Sequence, residues 1–587
     1  MLLLSALAGS AIVSAMKPVL IALALTFAAQ ASARTSDAAA TDLHLNAVSA
    51  ADPRGTAAGI AMLKQGGNAM DAIAATLLAL TVVEPQSSGI GGGGLLVYQP
   101  AKGGPPLTFD GREKAPMAAT PDLFMGKDGK PQPRREATPG GKSVGVPGNI
   151  AMIALAHQKT GKLPWAALFT PAIDLARGGY AVTPRMSRAI ASSAANLART
   201  PEAAALYLNA DGTAKAAGTR IINEPLAQTL SAIAKAGPSG FYTGDVAKQI
   251  VTRVQTAPTN ASSMTMADLA GYRAKARPPV CGRYRTYRVC TMGPPSAGGI
   301  AVLAILKQLE SFDLSALGPG SPTAWHLIAE SQRLAFADRA AYGGDSDFVS
   351  VPVAGLVADD YLKSRGAMIK ADATMPRADA GTPNGAPKRT SAPGGEIPST
   401  THFAAVDAAG NVASLTSTVE GGFGSSLVAA GMVLNNELTD FSFEPAINGA
   451  PVANRVEGGK RPRSSMSPAI VYDASGKPML AIGAAGGMTI PAQVAKAIVG
   501  VLDWKLSVGD AIALPQIYVN DDLVVVEAGA QGGALVGMIP ALEKLGHKVV
   551  SFPLPLKANG LERVGSGRDA GWRGGVDPRS EGQAAGF

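Results

Sequence analysis

Two threonines stand where a proline- and glycine-rich stretch runs directly into an apolar strand. Residues 376–398 contain five prolines and four glycines, a composition that breaks any helical or strand pattern. The next residues predict two strands, THFAAV and NVASLTST, that are joined by a turn, VDAAGNV. A loop of this length is uncommon inside a compact protein and is usually functional or severed. We therefore expect an exposed linker over residues 376–399, which ends where the chain is cut.

The turn between the two strands sets their register. Asp407 suits the first position of a type I turn, and Gly410 suits the left-handed bulge position. Asp407 should then face Asn411, and the same register places Thr400 opposite Thr418, give or take one residue. Directly opposed side chains lie about 5 Å apart at Cβ. Threonine pairs are also common in ordinary sheets, so the pairing alone assigns no function.

The chemistry of threonine suggests a function for the junction between the linker and the first strand. A threonine hydroxyl is a poor nucleophile unless a base removes its proton, and the free α-amine of the same residue can act as that base. The α-amine has a pKa of about 8 and lies within reach of its own hydroxyl. It exists only after the preceding peptide bond is broken. We therefore predict cleavage between Ser399 and Thr400, with Thr400 as the new N-terminus and the nucleophile.

Composition and charge exclude several classes of protein. The chain has 587 residues, of which 47% are hydrophobic and 16% charged, as is typical of a compact globular protein. The net charge of +8 is spread along the chain without the basic block that marks a nucleic-acid surface, so no nucleic-acid partner is expected. The five histidines show no ligand spacing and two cysteines cannot form a four-cysteine zinc site, so we expect no metal and no cofactor.

The N-terminus resembles an export signal. Met16 and Lys17 precede a short apolar run that ends in Ala-Ser-Ala at residues 31–33, as in a secretory signal peptide. We assign residues 1–33 to this signal, with Met16 as an alternative start and an uncleaved anchor as the other interpretation. No later segment approaches the length of apolar chain that spans a membrane. A periplasmic or secreted protein without a stable membrane span is expected.

Alternating helices and strands predict a layered α/β arrangement. Residues 54–86 read as two helices with Asn68 as the cap of the second, residues 145–375 as mostly helical, and the chain from Thr401 onward as mostly strands with helices near 490–505 and 535–545. The two cysteines, Cys281 and Cys290, flank a predicted hairpin. In an oxidising compartment they could form a short-loop disulfide or remain two free thiols.

Nine fragments carry a resemblance to a known family, from about residue 45 to 587. They are GGNAMDA, GGGGLLVY, DGREKAP, PPSAGGI, STTHFAAVDAAGN, LNNELTDF, KRPRSSMSP, AAGG and DPRSEGQAAGF. In this order they resemble the γ-glutamyltransferase (glutathione hydrolase) family of N-terminal nucleophile hydrolases. The resemblance implies an α+β fold, a four-layer αββα sandwich formed jointly by a large subunit (34–399) and a small subunit (400–587) that are cut from one precursor.

The resemblance also implies a role for individual residues. Thr400 matches the nucleophile, Thr418 the threonine that orients it, and Gly486 and Gly487 the oxyanion hole, for which two neighbouring N–H groups are suited. Residues that match substrate contacts form a second group: Arg112, Ser464 and Ser465 for the α-carboxylate, and Glu437 and Asp440 for the α-ammonium group. The guanidinium fork of arginine fits a carboxylate well.

The sequence departs from the family pattern near this site. Glu420 stands where family transpeptidases carry an asparagine, and a carboxylate there suits an ammonium ion but repels a carboxylate. Residues 444–460 look shorter than the family's lid loop and contain no tyrosine. An open site favours water over an amino-acid or peptide acceptor.

The sequence therefore predicts an exported enzyme that cleaves the γ-glutamyl amide of glutathione through a γ-glutamyl-threonine ester, with water or an amine as acceptor. One alternative is a cephalosporin or glutaryl amide acylase of the same family. The other is an unprocessed family member without catalytic activity.

Overall fold

The computed structural model of the chain describes residues 43–388, 390–392, 394–396 and 399–587. The predicted signal peptide, the alternative start at Met16 and the start of the large subunit at residue 34 lie outside the described residues.

Strands make up the centre of the described structure. They are β1 (Ala47–Ala50), β2 (Gly93–Gln99), β3 (Leu107–Asp110), β4 (Tyr180–Ala181), β5 (Arg220–Ile221), β6 (Lys275–Arg277), β7 (Val280–Tyr284), β8 (Tyr287–Thr291), β9 (Thr401–Val406), β10 (Val412–Thr418), β11 (Val428–Ala429), β12 (Met432–Val433), β13 (Ala446–Ile447), β14 (Ala450–Pro451), β15 (Ala469–Tyr472), β16 (Pro478–Ala485), β17 (Ile517–Asn520), β18 (Leu523–Glu527), β19 (Lys548–Phe552), β20 (Lys557–Val564), β21 (Gly571–Val576) and β22 (Gln583–Gly586).

Helices are concentrated between residues 53 and 366 and return from residue 490. They are α1 (Pro53–Lys64), α2 (Ala69–Val83), α3 (Arg134–Ala137), α4 (Asn149–Thr160), α5 (Thr170–Gly178), α6 (Pro184–Leu197), α7 (Pro201–Tyr207), α8 (Glu224–Ala236), α9 (Ser239–Tyr242), α10 (Gly244–Gln255), α11 (Met266–Ala270), α12 (Gly298–Gln308), α13 (Leu314–Leu317), α14 (Pro322–Tyr342), α15 (Val353–Leu356), α16 (Asp359–Gly366), α17 (Ile490–Leu502), α18 (Val508–Ala513), α19 (Gly533–Val536) and α20 (Ile539–Lys544).

Two antiparallel sheets hold the core. One has seven strands in the order β22-β1-β9-β10-β2-β3-β6, and the other has six in the order β21-β20-β16-β15-β8-β7. Ala404 and Val406 on β9 share one buried cluster with Ile470 on β15 and Ala481 on β16. Neighbouring residues on a strand point to opposite faces, so these four residues mark the faces on which the two sheets pack together.

The opposite face of each sheet is covered by helices. Phe403 on β9 belongs to a large buried cluster with Leu77 on α2, and Ile482 on β16 belongs to another with Ile305 on α12 and Ile498 on α17. The predicted mixed α/β content is confirmed. Thr400 and Thr418 lie at the ends of β9 and β10 in the seven-stranded sheet, whereas Gly486 and Gly487 follow β16 in the six-stranded sheet. The packing of the two sheets therefore brings the threonines and the glycines together.

The predicted hairpin is confirmed in its register. β10 pairs with β9 so that Ser417 faces Thr401 and Val412 faces Val406, which continues to Thr418 opposite Thr400. The turn is closed by the N–H of Gly410, which donates to the carbonyl oxygen of Asp407 at 2.9 Å.

Two other local predictions can be compared with the structure. Asn68 caps α2 in a capping box with Asp71, as the helix pattern predicted. Cys281 and Cys290 face each other across β7 and β8 and are joined by a disulfide, which decides between the two alternatives left by the sequence. Within the described residues, no helix is both long and apolar enough for a membrane crossing.

The linker before Thr400 contains no helix or strand in its described parts. Its exposure varies along its length. The side chains of Arg377 and Asp379 are 80% and 63% exposed, whereas Ala392 and the side chain of Glu396 are buried. The buried end arises because the chain must enter the body of the protein to reach Thr400.

Candidate active site

One cavity collects nearly all the residues that the sequence singled out. It lies at the end of β10, beside the junction between the linker and β9. Its lining includes nine of the predicted site residues: Arg112, Thr400, Thr418, Glu420, Glu437, Asp440, Ser464, Ser465 and Gly487. Three further residues complete the lining, namely Glu396, Met466 and Ile490.

The two threonine hydroxyls are in contact. Thr400 Oγ1 and Thr418 Oγ1 lie 3.0 Å apart, and the backbone N–H of Glu420 donates to Thr418 Oγ1 at 2.7 Å. This N–H occupies one acceptor position on Thr418 and thereby fixes its hydroxyl. Both threonines are buried. The arrangement orients Thr400 Oγ1 and provides a path for its proton.

The peptide bond before Thr400 is held at both ends. The Ser399 carbonyl oxygen accepts a hydrogen bond from the Gly486 N–H at 3.1 Å, and the Thr400 N–H donates to the Ser87 carbonyl oxygen at 3.2 Å. Thr400 has φ +95°, in the left-handed region, where a β-branched residue is a genuine outlier. The strain therefore sits at the bond that the sequence predicts to be cut, where such outliers often serve a function.

Gly486 and Gly487 connect β16 to the first turns before α17. Gly486 has φ +126°, and a Cβ at this position would lie 2.3 Å from the Pro555 carbonyl oxygen, so no other residue fits without a shift. The positive end of the α17 dipole follows directly, which favours negative charge at this place. The N–H of Gly486 already points to a carbonyl oxygen, as an oxyanion hole requires.

Arg112 is engaged by two of the predicted ammonium contacts. It is fully buried and forms ion pairs with Glu437 and, at 2.5 Å, with Asp440. Its Nε donates to the Pro462 carbonyl oxygen at 3.2 Å, and its Nη2 also donates to the Arg463 carbonyl oxygen at 2.9 Å. Although burial opposes the charged form, the two carboxylates raise the pKa of Arg112. Most of its five donors are therefore already in use.

A third carboxylate beneath Arg112 was missed by the sequence reasoning. Glu113 lies 3.8 Å from Arg112 and is fully buried. Burial raises the pKa of Glu113 to about 7, and burial also raises the pKa values of Glu437 and Asp440. Glu113 directly follows Arg112 in the fragment DGREKAP, and this adjacency could have marked it as a site residue. Three carboxyl groups thus surround one guanidinium group at this acidic end of the cavity, and a bound cation would favour their ionised forms.

Glu420 extends this acidic end. Its carboxylate accepts a hydrogen bond from Asn436 Nδ2 at 2.5 Å, and its φ is +74°. Glu420 and Glu437 lie close enough for their charges to interact. The position that departs from the family pattern therefore adds to the cation-binding character of the cavity.

The serine pair lies on the cavity wall, where Ser465 contacts Arg339. Ser464 and Ser465 are buried on the cavity wall. Ser465 Oγ accepts a hydrogen bond from Arg339 at 2.7 Å, and Arg339 is ion-paired with Glu396 of the linker. Neither Arg339 nor Glu396 was predicted as a site residue, because only the folded chain brings them beside Ser465.

A buried ion pair lies behind the junction on the other face of β9. Lys557 pairs with Glu84 and donates to Ser87 Oγ at 3.2 Å, while Thr401 Oγ1 donates to Glu84 at 2.6 Å. Burial lowers the pKa of Lys557 to about 8, partly offset by Glu84. This network supports Ser87, whose carbonyl oxygen receives the Thr400 N–H. Sequence reasoning gave no signal for it.

Comparisons with known proteins identify the family of the chain. The family model described as Gamma-glutamyltranspeptidase matches residues 55–587. A protein named glutathione hydrolase proenzyme from Bacillus subtilis (strain 168) is 36% identical over 518 residues, which cover 87% of this chain and 86% of that protein. A protein named acylase ACY 1 proenzyme from Pseudomonas sp. (strain V22) is 35% identical over 540 residues, or 90% and 91% of the two chains.

One solved structure is similar to this chain in its fold. The cephalosporin acylase from Bacillus halodurans superposes with a TM-score of 0.81 at 26% identity and covers 93% of this chain and 96% of its own. Together with the family model and the relatives, it leads to one conclusion: the chain belongs to the gamma-glutamyltranspeptidase family.

Proposed function

We propose that this chain is a precursor that cuts itself at Ser399–Thr400 and then acts as a γ-glutamyl hydrolase and transferase on glutathione and related γ-glutamyl amides. The observation that carries the proposal is the geometry at one bond. Thr400 Oγ1 lies 3.0 Å from Thr418 Oγ1, and the carbonyl oxygen of Ser399 lies 3.1 Å from the Gly486 nitrogen. Nucleophile, orienting hydroxyl and oxyanion donor thus surround the same carbonyl group.

Self-cleavage uses these groups first. Thr400 Oγ bonds to the Ser399 carbonyl carbon while Gly486 stabilises the oxyanion. The C–N bond then breaks as the hydroxyl proton passes to the departing nitrogen, which leaves an ester and a free α-amine on Thr400. Water hydrolyses the ester and releases the Ser399 carboxylate. The products are a large subunit (34–399) and a small subunit (400–587), which together form a heterodimer with the four-layer αββα sandwich.

The same groups then serve the substrate. The α-amine of Thr400 takes the hydroxyl proton as Thr400 Oγ attacks the γ-carbonyl carbon of the donor, and passes it to the leaving amine. Gly486 and Gly487 hold the oxyanion, and the product is a γ-glutamyl-Thr400 ester. Water or the amine of an amino acid or peptide attacks this ester and regenerates the enzyme.

The acidic end of the cavity supports a γ-glutamyl donor. Among the described residues, Arg112 is the one cation paired with Glu437 and Asp440, and Glu113 and Glu420 lie beside them. An α-ammonium group would offset this excess of negative charge. Ser464, Ser465 and the remaining donor of Arg112 would face the α-carboxylate. The glutathione hydrolase name of the B. subtilis relative supports the same donor class.

A glutaryl or cephalosporin acylase is the second candidate, favoured by the Pseudomonas relative and by the acylase structure. A glutaryl group carries the carboxylate of a γ-glutamyl group but lacks its ammonium. Rates of p-nitroaniline release from γ-glutamyl-p-nitroanilide and glutaryl-p-nitroanilide separate the two. We expect kcat/KM at least 10-fold higher for the γ-glutamyl donor; a preference for the glutaryl donor would establish the acylase instead.

Export to the periplasm or the exterior is also proposed. It is supported by the signal-like sequence at residues 1–33 and by the Cys281–Cys290 disulfide, since disulfides persist mainly in oxidising compartments. Fractionation of cells that express the full chain tests it, and a product confined to the cytoplasm would contradict it.

A further inference from the structure

The two N–H groups proposed for the oxyanion hole belong to peptide units whose carbonyl groups are held by side chains. The N–H of Gly486 shares its peptide unit with the carbonyl group of Ala485, and the N–H of Gly487 shares its unit with the carbonyl group of Gly486. In a planar trans peptide the C=O and the N–H point in opposite directions. A hydrogen bond that fixes the direction of the carbonyl oxygen therefore also fixes the direction of the N–H.

Gln493, near the start of α17, holds the first of these units. Its Nε2 donates to the Ala485 carbonyl oxygen at 2.7 Å, and its Oε1 accepts a hydrogen bond from the backbone N–H of Lys557 at 3.2 Å. Ala485 and Lys557 form the last pair of the ladder between β16 and β20, so the side-chain amide bridges the two strands where their ladder ends. Gln493 is buried, and its amide is therefore a structural part of this strand end.

Thr489 holds the second unit. Its Oγ1 donates to the Gly486 carbonyl oxygen at 2.9 Å, and it accepts a hydrogen bond from Gln493 Nε2 at 2.9 Å. The direction of this chain is fixed, because the N–H of Lys557 can only donate and therefore faces Oε1 of Gln493. Nε2 must then donate to Thr489 Oγ1, whose own proton is left for Gly486. One glutamine thus supports both peptide units, the second of them through the threonine hydroxyl.

The glycine pair makes this support necessary. Gly486 has φ +126° and Gly487 has φ +59°, and glycine occupies such conformations about as readily as those with negative φ. Two consecutive glycines therefore place little steric barrier in the way of a rotation of the peptide unit between them. Such a rotation would turn an N–H away from the carbonyl group that it faces. The hydrogen bonds of Gln493 and Thr489 oppose it.

We propose that Gln493 and Thr489 are positioning residues, which keep the N–H groups of Gly486 and Gly487 directed at the developing oxyanion in self-cleavage and in turnover. The described residues that line the cavity include Gly487 but neither Thr489 nor Gln493, so both side chains act through the backbone. The inference rests on the proposed function, since it concerns the oxyanion of the same reaction.

Two substitutions of Thr489 test the role of its hydroxyl in the processed enzyme. Thr489→Val keeps the shape of the side chain and removes the hydroxyl. We expect it to lower kcat for γ-glutamyl-p-nitroanilide about 10- to 100-fold and to change KM less than about 3-fold, because the support acts in the transition state. Thr489→Ser keeps the hydroxyl and should retain most of the wild-type kcat. A Val variant with the wild-type kcat, or a Ser variant as slow as the Val variant, would overturn the inference.

Gln493→Leu has a matched control in Gln332→Leu. Gln332 on α14 is also buried, and its amide bridges the Ile517 carbonyl oxygen at 3.2 Å and the Val519 N–H at 3.1 Å on β17, a strand outside the two core sheets. Both variants should lower the urea midpoint of unfolding, but only Gln493→Leu should lower kcat, about 10- to 100-fold with little change in KM. Equal losses of kcat in the two variants would mean that reduced stability is the cause, and would overturn the inference.

Amide exchange decides the inference independently of turnover. In the uncut Thr400→Ala protein, hydrogen–deuterium exchange with mass spectrometry reports on the peptides that contain residues 486 and 487. We expect Gln493→Leu to speed their exchange about 10-fold or more, whereas Gln332→Leu leaves it unchanged. Exchange that is equally slow with and without Gln493 would overturn the inference. If the wild type neither cuts itself nor releases p-nitroaniline from any donor, the proposed function fails, while this comparison still decides whether Gln493 holds the glycine pair.

Discussion

The carbonyl oxygen of Ser399 accepts its hydrogen bond from the backbone N–H of Gly486, at 3.1 Å, although the two residues lie 87 positions apart in the chain. Ser399 ends the linker and Gly486 follows β16 of the six-stranded sheet. A carbonyl group that rests on an oxyanion donor, next to a hydroxyl nucleophile, is prepared for attack. In the self-cleavage that we propose, this peptide bond lies where the substrate's amide bond would later lie.

Removal of the Thr418 hydroxyl should slow self-cleavage. Thr418→Ala removes the partner of Thr400 Oγ1 at 3.0 Å, and loss of a positioned proton-transfer partner costs about 100-fold or more in rate. The fraction of cut chain as a function of time, followed on denaturing gels, measures the effect. Thr418→Ser keeps the hydroxyl and should cut within about 10-fold of the wild-type rate. Cleavage of the Ala variant at the wild-type rate would remove Thr418 from the mechanism.

Asp440→Asn should affect donors according to their charge. The change removes one negative charge from the acidic end while it keeps a hydrogen-bonding side chain against Arg112. We expect KM for γ-glutamyl-p-nitroanilide to rise about 10-fold or more, since a hydrogen bond to a charged group contributes about 1.5–3 kcal/mol. KM for glutaryl-p-nitroanilide, which has no ammonium group, should stay level or fall. A parallel rise for both donors would argue against an ammonium contact.

The Glu84–Lys557 pair predicts a non-additive effect on stability. Lys557→Met leaves the Glu84 carboxylate buried without its cation, which costs about 3–5 kcal/mol. Glu84→Gln combined with Lys557→Met removes both charges and should restore most of that loss. Urea unfolding of the single and double variants gives the coupling free energy. Additive losses would show that the two side chains act independently.

His402 predicts a stability loss in acid. It is fully buried, its Nδ1 lies 2.9 Å from Thr416 Oγ1, and burial lowers its pKa to about 3. Between pH 6.5 and about 3 the unfolded chain binds a proton at this residue that the folded chain does not. The free energy of unfolding therefore decreases as the pH is lowered through this window, by up to about 1.4 kcal/mol per pH unit.

The measurement compares two proteins over this window. The difference in unfolding free energy between the wild type and His402→Gln should shift by about 1 kcal/mol against the wild type between pH 6.5 and 5.5. A difference that stays constant with pH would show that His402 titrates normally in the folded protein.

The sequence was most informative where the contacts are local. Asp407 and Gly410 define a tight turn, and the turn alone places Thr400 opposite Thr418 because a hairpin register follows from its loop. The nearness of Cys281 to Cys290 follows from a hairpin in the same way, although the sequence left open whether they form a disulfide or remain free thiols. Such predictions need no knowledge of how the sheets pack.

The contacts that the sequence could not predict join distant parts of the chain. Glu396 meets Arg339, and Arg339 meets Ser465, only after α14, the linker and the serine loop have packed together. The resemblance named Arg112 as a carboxylate contact. Its charge balance depends on every neighbour, and two carboxylates and two backbone carbonyl oxygens already take four of its five donors. The unfavourable φ of Thr400 likewise exists only in the folded chain.

The identity of the cut ends tests the central claim most directly. Intact mass and N-terminal sequencing should be measured for the purified wild type and for Thr400→Ala. We predict two fragments in the wild type, the smaller of which begins Thr-Thr-His-Phe, and a single uncut chain in the variant. A wild type that remains one chain would contradict self-cleavage and catalysis by Thr400, and would favour a family member that retains the fold without the activity.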